Sequence, residues 1–116
     1  MDLLLNFMCS AESANIDISS IVVFIGEEHH AILIENMGAK AIYHPALGSM
    51  PPHAAKGYLD DTFARMMWFK TTSVYLALTC GFEVLFQDVD LVWLKDPFPY
   101  FRELDHYILF MDDGNK

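Results

Sequence analysis

Basic residues are scarce in this chain. Seven Lys and Arg stand against sixteen Asp and Glu, a net charge of -9 over 116 residues. General nucleic-acid binding needs a basic footprint, so that class is excluded. An anionic ligand meets a repelling field unless a metal ion inverts it locally. Cysteine is scarcer still. Cys9 and Cys80 form no metal-ligand spacing and no disulfide framework, and nothing supports a bridge between them. No apolar run is long enough to span a membrane. Met1 to Ala11 is too short, and Asp2 with no Lys or Arg fits a signal peptide poorly. Repeats and low-complexity tracts are also missing. The chain reads as a soluble domain, or one that has lost a targeting segment.

Apolar residues are what the chain has in quantity. They make up 53% of it, which excludes a disordered polymer and leaves material for one domain with a core. Asp2 to Ser13 reads as a helix with Leu4, Leu5, Met8 and Ala11 on one side. Ile16 to Ile18 reads as a lead-in, and Ile21 to Ile25 as a buried strand ended by Gly26. Glu27 to Asn36 reads as a helix with acids in its first turn and Gly38 as its stop. Ala41 to Tyr43 reads as a second strand. Strand, helix and strand within about 25 residues make a βαβ unit. Gly48 to Gly57 reads as a loop. Leu59 to Thr79 is the longest helical pattern, capped by Asp60 or Asp61 and ended by Cys80-Gly81. Its inner stripe is Phe63, Met66, Met67, Lys70, Val74, Ala77 and Leu78, aimed at the sheet. Lys70 is out of place there, since a buried ammonium needs an anionic partner. Arg65 lies on a neighbouring face. Tyr100 to Leu104 reads as a helical turn, and His106 to Met111 as a strand ending at Asp112-Asp113.

The centre of the chain is Phe82 to Pro99. Val84-Leu85-Phe86 reads as a strand buried on both faces, as in a parallel sheet. Asp88 and Asp90 follow, then the apolar run Leu91 to Leu94, then Asp96-Pro97-Phe98-Pro99. Acids just past the end of such a strand lie where open α/β sheets bind ligands. Residues two apart in an extended chain share a face, and two such carboxylates suit magnesium or manganese. The bland reading is two turn aspartates; the flanking apolar runs favour a site. Lys70 then has the acids as partners, against the alternative of snorkelling to solvent. His29-His30 beside Glu27-Glu28 invites a zinc reading. Adjacent histidines on a helix diverge by about 100°, and a solvated helix start is the better account. Trp93 and Phe98 read as packing residues that fix the exit of the acidic loop.

Two chemistries use such an acid pair. In one, a metal on the acids neutralises the leaving diphosphate of a nucleotide sugar. In the other, Asp88 is the nucleophile of a haloacid-dehalogenase-like phosphatase and Asp90 its acid/base partner. Those phosphatases carry the pair on their first strand, so its late position here favours sugar transfer.

Arg65, Lys70, Gly81, Val84-Leu85-Phe86, Asp88-Val89-Asp90, Val92-Trp93-Leu94 and Asp96-Pro97-Phe98-Pro99-Tyr100 together resemble the nucleotide-diphospho-sugar transferase family. That family includes the plant rhamnogalacturonan xylosyltransferase-like and arabinosyltransferase-like enzymes. The resemblance implies an α/β fold, a Rossmann-like GT-A three-layer αβα sandwich with a mostly parallel sheet. It implies a metal site with Mn2+ or Mg2+ on Asp88 and Asp90. It also implies a nucleotide-sugar donor, with a UDP-sugar expected, contacted by Asp88, Lys70 and Arg65, and a glycan or glycoprotein acceptor. A Golgi-lumenal enzyme with a membrane anchor outside this chain is implied too. Residues 1–116 then form a partial domain, truncated at both ends, and a non-catalytic fragment is the remaining alternative.

Overall fold

The computed structural model describes residues 2–47, 55–58, 60–102 and 108–109. Helix α1, Asp2–Ser13, opens the chain. Leu4, Phe7, Met8 and Ala11 are buried at the i, i+3, i+4, i+7 spacing of one helix face. The expected stripe is corrected at one position: Leu5 is exposed and Phe7 takes its place. Asn15 in the left-handed region, with φ 59°, turns the chain out of the helix. The Ile16 to Ile18 lead-in becomes a short 3-10 turn, Ile18–Ser20, because the Asp17 carboxylate accepts from the Ser19 N–H.

Strand β1, Val22–Phe24, and strand β2, Lys40–Ile42, pair in parallel with Val23 opposite Ala41. Between them a 3-10 turn, Glu28–His30, leads into helix α2, Ala31–Asn36. Gly38 ends this crossover at φ 88°, a backbone region a side chain rarely adopts. The βαβ expectation therefore holds. Leu4, Phe7 and Met8 of α1 meet Ile25, Ile34 and Ala39 in one core cluster. Ile34 is its most buried member, at 1% exposure.

Helix α3, Asp61–Thr79, begins at Asp60. One Asp60 oxygen accepts from the Phe63 N–H at 2.8 Å and the other from the Lys56 N–H. These bonds, that from Phe63 foremost, hold the Asp60 carboxyl below its usual range. Gly81 at φ 83° follows the helix end at Cys80. The inner stripe is shallower than its spacing implies. Met67 and Leu78 are exposed, and Ser73 is the buried residue of the helix, its hydroxyl donating to the Phe69 carbonyl. The helix packs on the Pro45–Leu47 turn rather than squarely on the β1–β2 sheet.

The strand expected at Val84-Leu85-Phe86 is corrected as well. These residues are irregular, and Phe86 is 48% exposed. Leu91 to Leu94 is also irregular, with Leu94 fully out in solvent. A strand exists only through its ladder, and among the described residues the sheet contains β1 and β2 alone. The helical turn expected at Tyr100 to Leu104 is met by helix α4, Phe98–Arg102, which starts two residues earlier. The expected strand His106 to Met111 lies outside the described residues apart from Ile108 and Leu109, and Asp112-Asp113 lies outside them entirely. So does most of the Gly48 to Gly57 loop. The result is a small partial α/β domain.

Two predictions follow from these contacts. Ile34→Ala removes the centre of the cluster and costs roughly 2–5 kcal/mol in urea unfolding, the range for buried Leu or Ile truncation. Asp60 has a folded pKa below its unfolded one, so its contribution is present above about pH 4 and is lost as pH falls through the folded value. Asp60→Asn keeps a capping side chain without the charge. Its helicity, followed by circular dichroism, therefore shows a weaker acid transition than the parent.

Candidate functional site

The acidic segment is held from below by Trp93. Its ring meets Phe7 of α1 edge-on at 5.1 Å and Phe98 at 6.4 Å. Its backbone N–H donates to the Ser10 hydroxyl at 3.0 Å. Its indole N–H donates to the Gln87 side-chain oxygen at 3.3 Å. A half-buried indole N–H needs such a partner. The last bond ties together the two ends of the segment Gln87–Trp93, which carries both acids. Trp93 and Phe98 are thus the packing residues expected. Ser10 and Gln87 carry no sequence signal of their own, because their role exists only once Trp93 is seated on α1.

From the other side, α3 brings Lys70 onto the segment. Its Nζ lies 2.7 Å from Oδ1 and 2.8 Å from Oδ2 of Asp88, so one ammonium grips both oxygens. The Lys70 side chain is 28% exposed and that of Asp88 48%. The stem of Lys70 is sheltered while the pair itself is wet, and such a pair contributes no more than about 0.2–1 kcal/mol. Beside it runs a groove of about 320 Å³, lined by Met67, Lys70, Thr71, Val74, Phe86 and Asp88. Asp90 is exposed at a bend two residues further on. Among the described residues it forms no ion pair. Arg65 is not brought to the groove: its Nε bonds Asp61 at 2.8 Å, one helical turn back on an exposed face.

Glu27, His29 and His30 also come together, on the turn that follows β1. His29 Nδ1 lies 3.3 Å from a Glu27 oxygen, and the two imidazole rings are 4.1 Å apart. Cys9 and Cys80 are both free and exposed, and no helix among the described residues is long and apolar enough to cross a membrane.

The segment that Lys70 and Trp93 hold in place is the segment that carries the resemblance. The sequence pattern of the family described as nucleotide-diphospho-sugar transferase matches residues 21–116. The chain belongs to that family. Among its relatives is a UDP-D-xylose:L-fucose alpha-1,3-D-xylosyltransferase, MGP4, of Arabidopsis thaliana. It is 33% identical over 97 residues, covering 79% of this chain and 25% of that protein. A second Arabidopsis thaliana protein, UDP-D-xylose:L-fucose alpha-1,3-D-xylosyltransferase 3, is 31% identical over 96 residues, covering 79% of this chain and 24% of its own length. The transferase-family chain thus spans about a quarter of the length of these curated relatives. No solved structure matches it. Membership of a sugar-transferase family speaks for nucleotide-sugar chemistry and against a phosphatase.

Because the Lys70–Asp88 pair is half in solvent, Lys70→Ala lowers stability by under about 1 kcal/mol. The loss shrinks further in molar salt, where exposed charges are screened. Thermal melts at low and high ionic strength measure both effects.

Proposed function

We propose that this chain forms the donor-binding part of a GT-A, Rossmann-like αβα glycosyltransferase that moves a sugar from a UDP-sugar to an acceptor hydroxyl. The observation that carries the reading is the double-oxygen grip of Lys70 on Asp88, within the family-matched segment. That contact presents the first acid of Asp88-Val89-Asp90 on a fixed support. Family membership and the UDP-xylose-dependent activity in the relatives' names support the donor class.

The donor set fits a hard cation. Asp88 and Asp90 offer carboxylate oxygens and no nitrogen or sulfur, the preference of Mn2+ and Mg2+. Asp88 keeps acceptor capacity while bound to Lys70, because each carboxylate has about four lone-pair sites. Asp88 and Asp90 would hold such a cation, which would supply positive charge against the leaving diphosphate. The protein's own part is orientation. Lys70 fixes Asp88 and adds positive charge in an otherwise acidic chain. Met67, Val74 and Phe86 give the groove an apolar wall against which a ring of the donor can lie. Arg65 reaches the diphosphate only by leaving Asp61, which costs no more than about 1 kcal/mol at an exposed site. The same reading extends to a glycan or glycoprotein acceptor and to a Golgi-lumenal setting with a membrane anchor.

Thermal unfolding with Mn2+ and UDP tests the proposal. Ligand at one hundred times its dissociation constant stabilises the folded state by about 2.7 kcal/mol. The melting temperature is expected to rise with UDP only when Mn2+ is present, and Asp90→Ala is expected to abolish the rise. A parent with no Mn2+-dependent response to UDP, or an Asp90→Ala variant that responds like the parent, defeats it.

A further inference from the structure

We propose that Glu27, His29 and His30 form a second metal site, one that takes a borderline divalent ion such as Zn2+ through two imidazoles and a carboxylate. Among the described residues these three alone offer three ligand atoms that all lie within 4.8 Å of one another. Adjacent histidines on a helix diverge by about 100° in backbone direction. The side chains overcome that divergence. Glu27 stands in extended backbone just after β1, His29 and His30 on the following 3-10 turn, and the rings fold together to 4.1 Å.

One edge of the cluster already matches tetrahedral coordination. Metal–ligand bonds of about 2.0–2.1 Å make ligand-to-ligand edges of about 3.3–3.4 Å. The Glu27 oxygen and His29 Nδ1 are already 3.3 Å apart. The remaining separations close by rotation of side chains that are exposed or half-buried. Three ligands within four consecutive residues also leave almost no loop to order. Two nitrogens and one oxygen favour Zn2+, Cu2+ or Ni2+ over Mn2+ and Mg2+. The site is therefore chemically separate from Asp88 and Asp90, which offer oxygen alone. Three protein ligands leave a fourth position for water or an incoming donor atom. The ion pins the turn at the carboxyl end of β1, the edge at which open α/β sheets bind ligands. The excess of acids in the chain draws the cation in.

Isothermal titration of the whole 116-residue chain with Zn2+ alone tests this. It is run on a Cys9→Ser, Cys80→Ser background, so that the two exposed thiols contribute nothing. The expected result is one Zn2+ per chain, untouched by excess Mn2+ and by Asp90→Ala. Adding His29→Ala with His30→Ala weakens it by at least the roughly tenfold that even the loss of a ligand's supporting partner costs. Co2+ in place of Zn2+ is expected to give a tetrahedral visible spectrum, lost in the same double variant. The substituted side chains are not part of the core, and circular dichroism checks that each variant keeps the parent fold. No saturable Zn2+ binding in the thiol-free background overturns the proposal. So does binding that survives loss of both histidines, or that Asp90→Ala removes. None of these outcomes depends on UDP, so the sugar-nucleotide reading stands or falls separately.

Discussion

Trp93 is the contact on which the acidic segment depends. Its ring is wedged between Phe7 and Phe98, and both of its N–H groups are bound, one to α1 through Ser10 and one across the segment to Gln87. Without it, Gln87 to Leu94 has no ladder and no helix to hold it, because its backbone is irregular. The cost of ordering such a segment is about 1–2 kcal/mol for each residue fixed. An aromatic anchor on a helix that is itself buried against β1 and α2 is a means of offsetting part of that cost. The geometry of Asp88 is thus determined twice, by Trp93 through the chain and by Lys70 through its carboxylate.

These two supports come from different parts of the sequence. Ser10 and Trp93 are 83 residues apart, while Lys70 and Asp88 are 18 apart. The first joins the segment to the βαβ core, and the second joins it to α3. Helix α3 otherwise touches that core little, packing on the Pro45–Leu47 turn. The segment is therefore the link between two parts of the molecule as well as the carrier of the acids.

What could be read from residues alone follows the range of the forces involved. Local signals are legible: Leu4, Met8 and Ala11 on the buried face of α1, the Asp60 cap of α3, the glycine at the end of the crossover, and the two parallel strands. The Lys70–Asp88 contact was legible too, because an ammonium in an apolar stripe demands a partner and the acids stood nearby. Val84-Leu85-Phe86 departs from its strand pattern for the complementary reason. Its composition is that of a central strand, but strand structure is a property of a pair, and the described residues supply it with no neighbour. Leu5 and Phe7 were exchanged because a short apolar run permits two helical phases, and only the position of the sheet chooses between them.

The two acid-containing clusters separate by ligand chemistry rather than by charge. Both lie in a chain of net charge -9, so attraction for cations in general distinguishes neither. Asp88 and Asp90 present oxygen, and Asp88 carries a lysine that partly cancels its charge. Glu27, His29 and His30 present two nitrogens and no competing ammonium within their own cluster. A hard ion gains most from the first set, where it must still share Asp88 with Lys70. A borderline ion gains most from the second, where imidazole does the selecting. On the two proposals, the first set would suit an ion that meets phosphate and the second an ion that stays with the protein. The distinction follows from donor atoms, whatever the overall field.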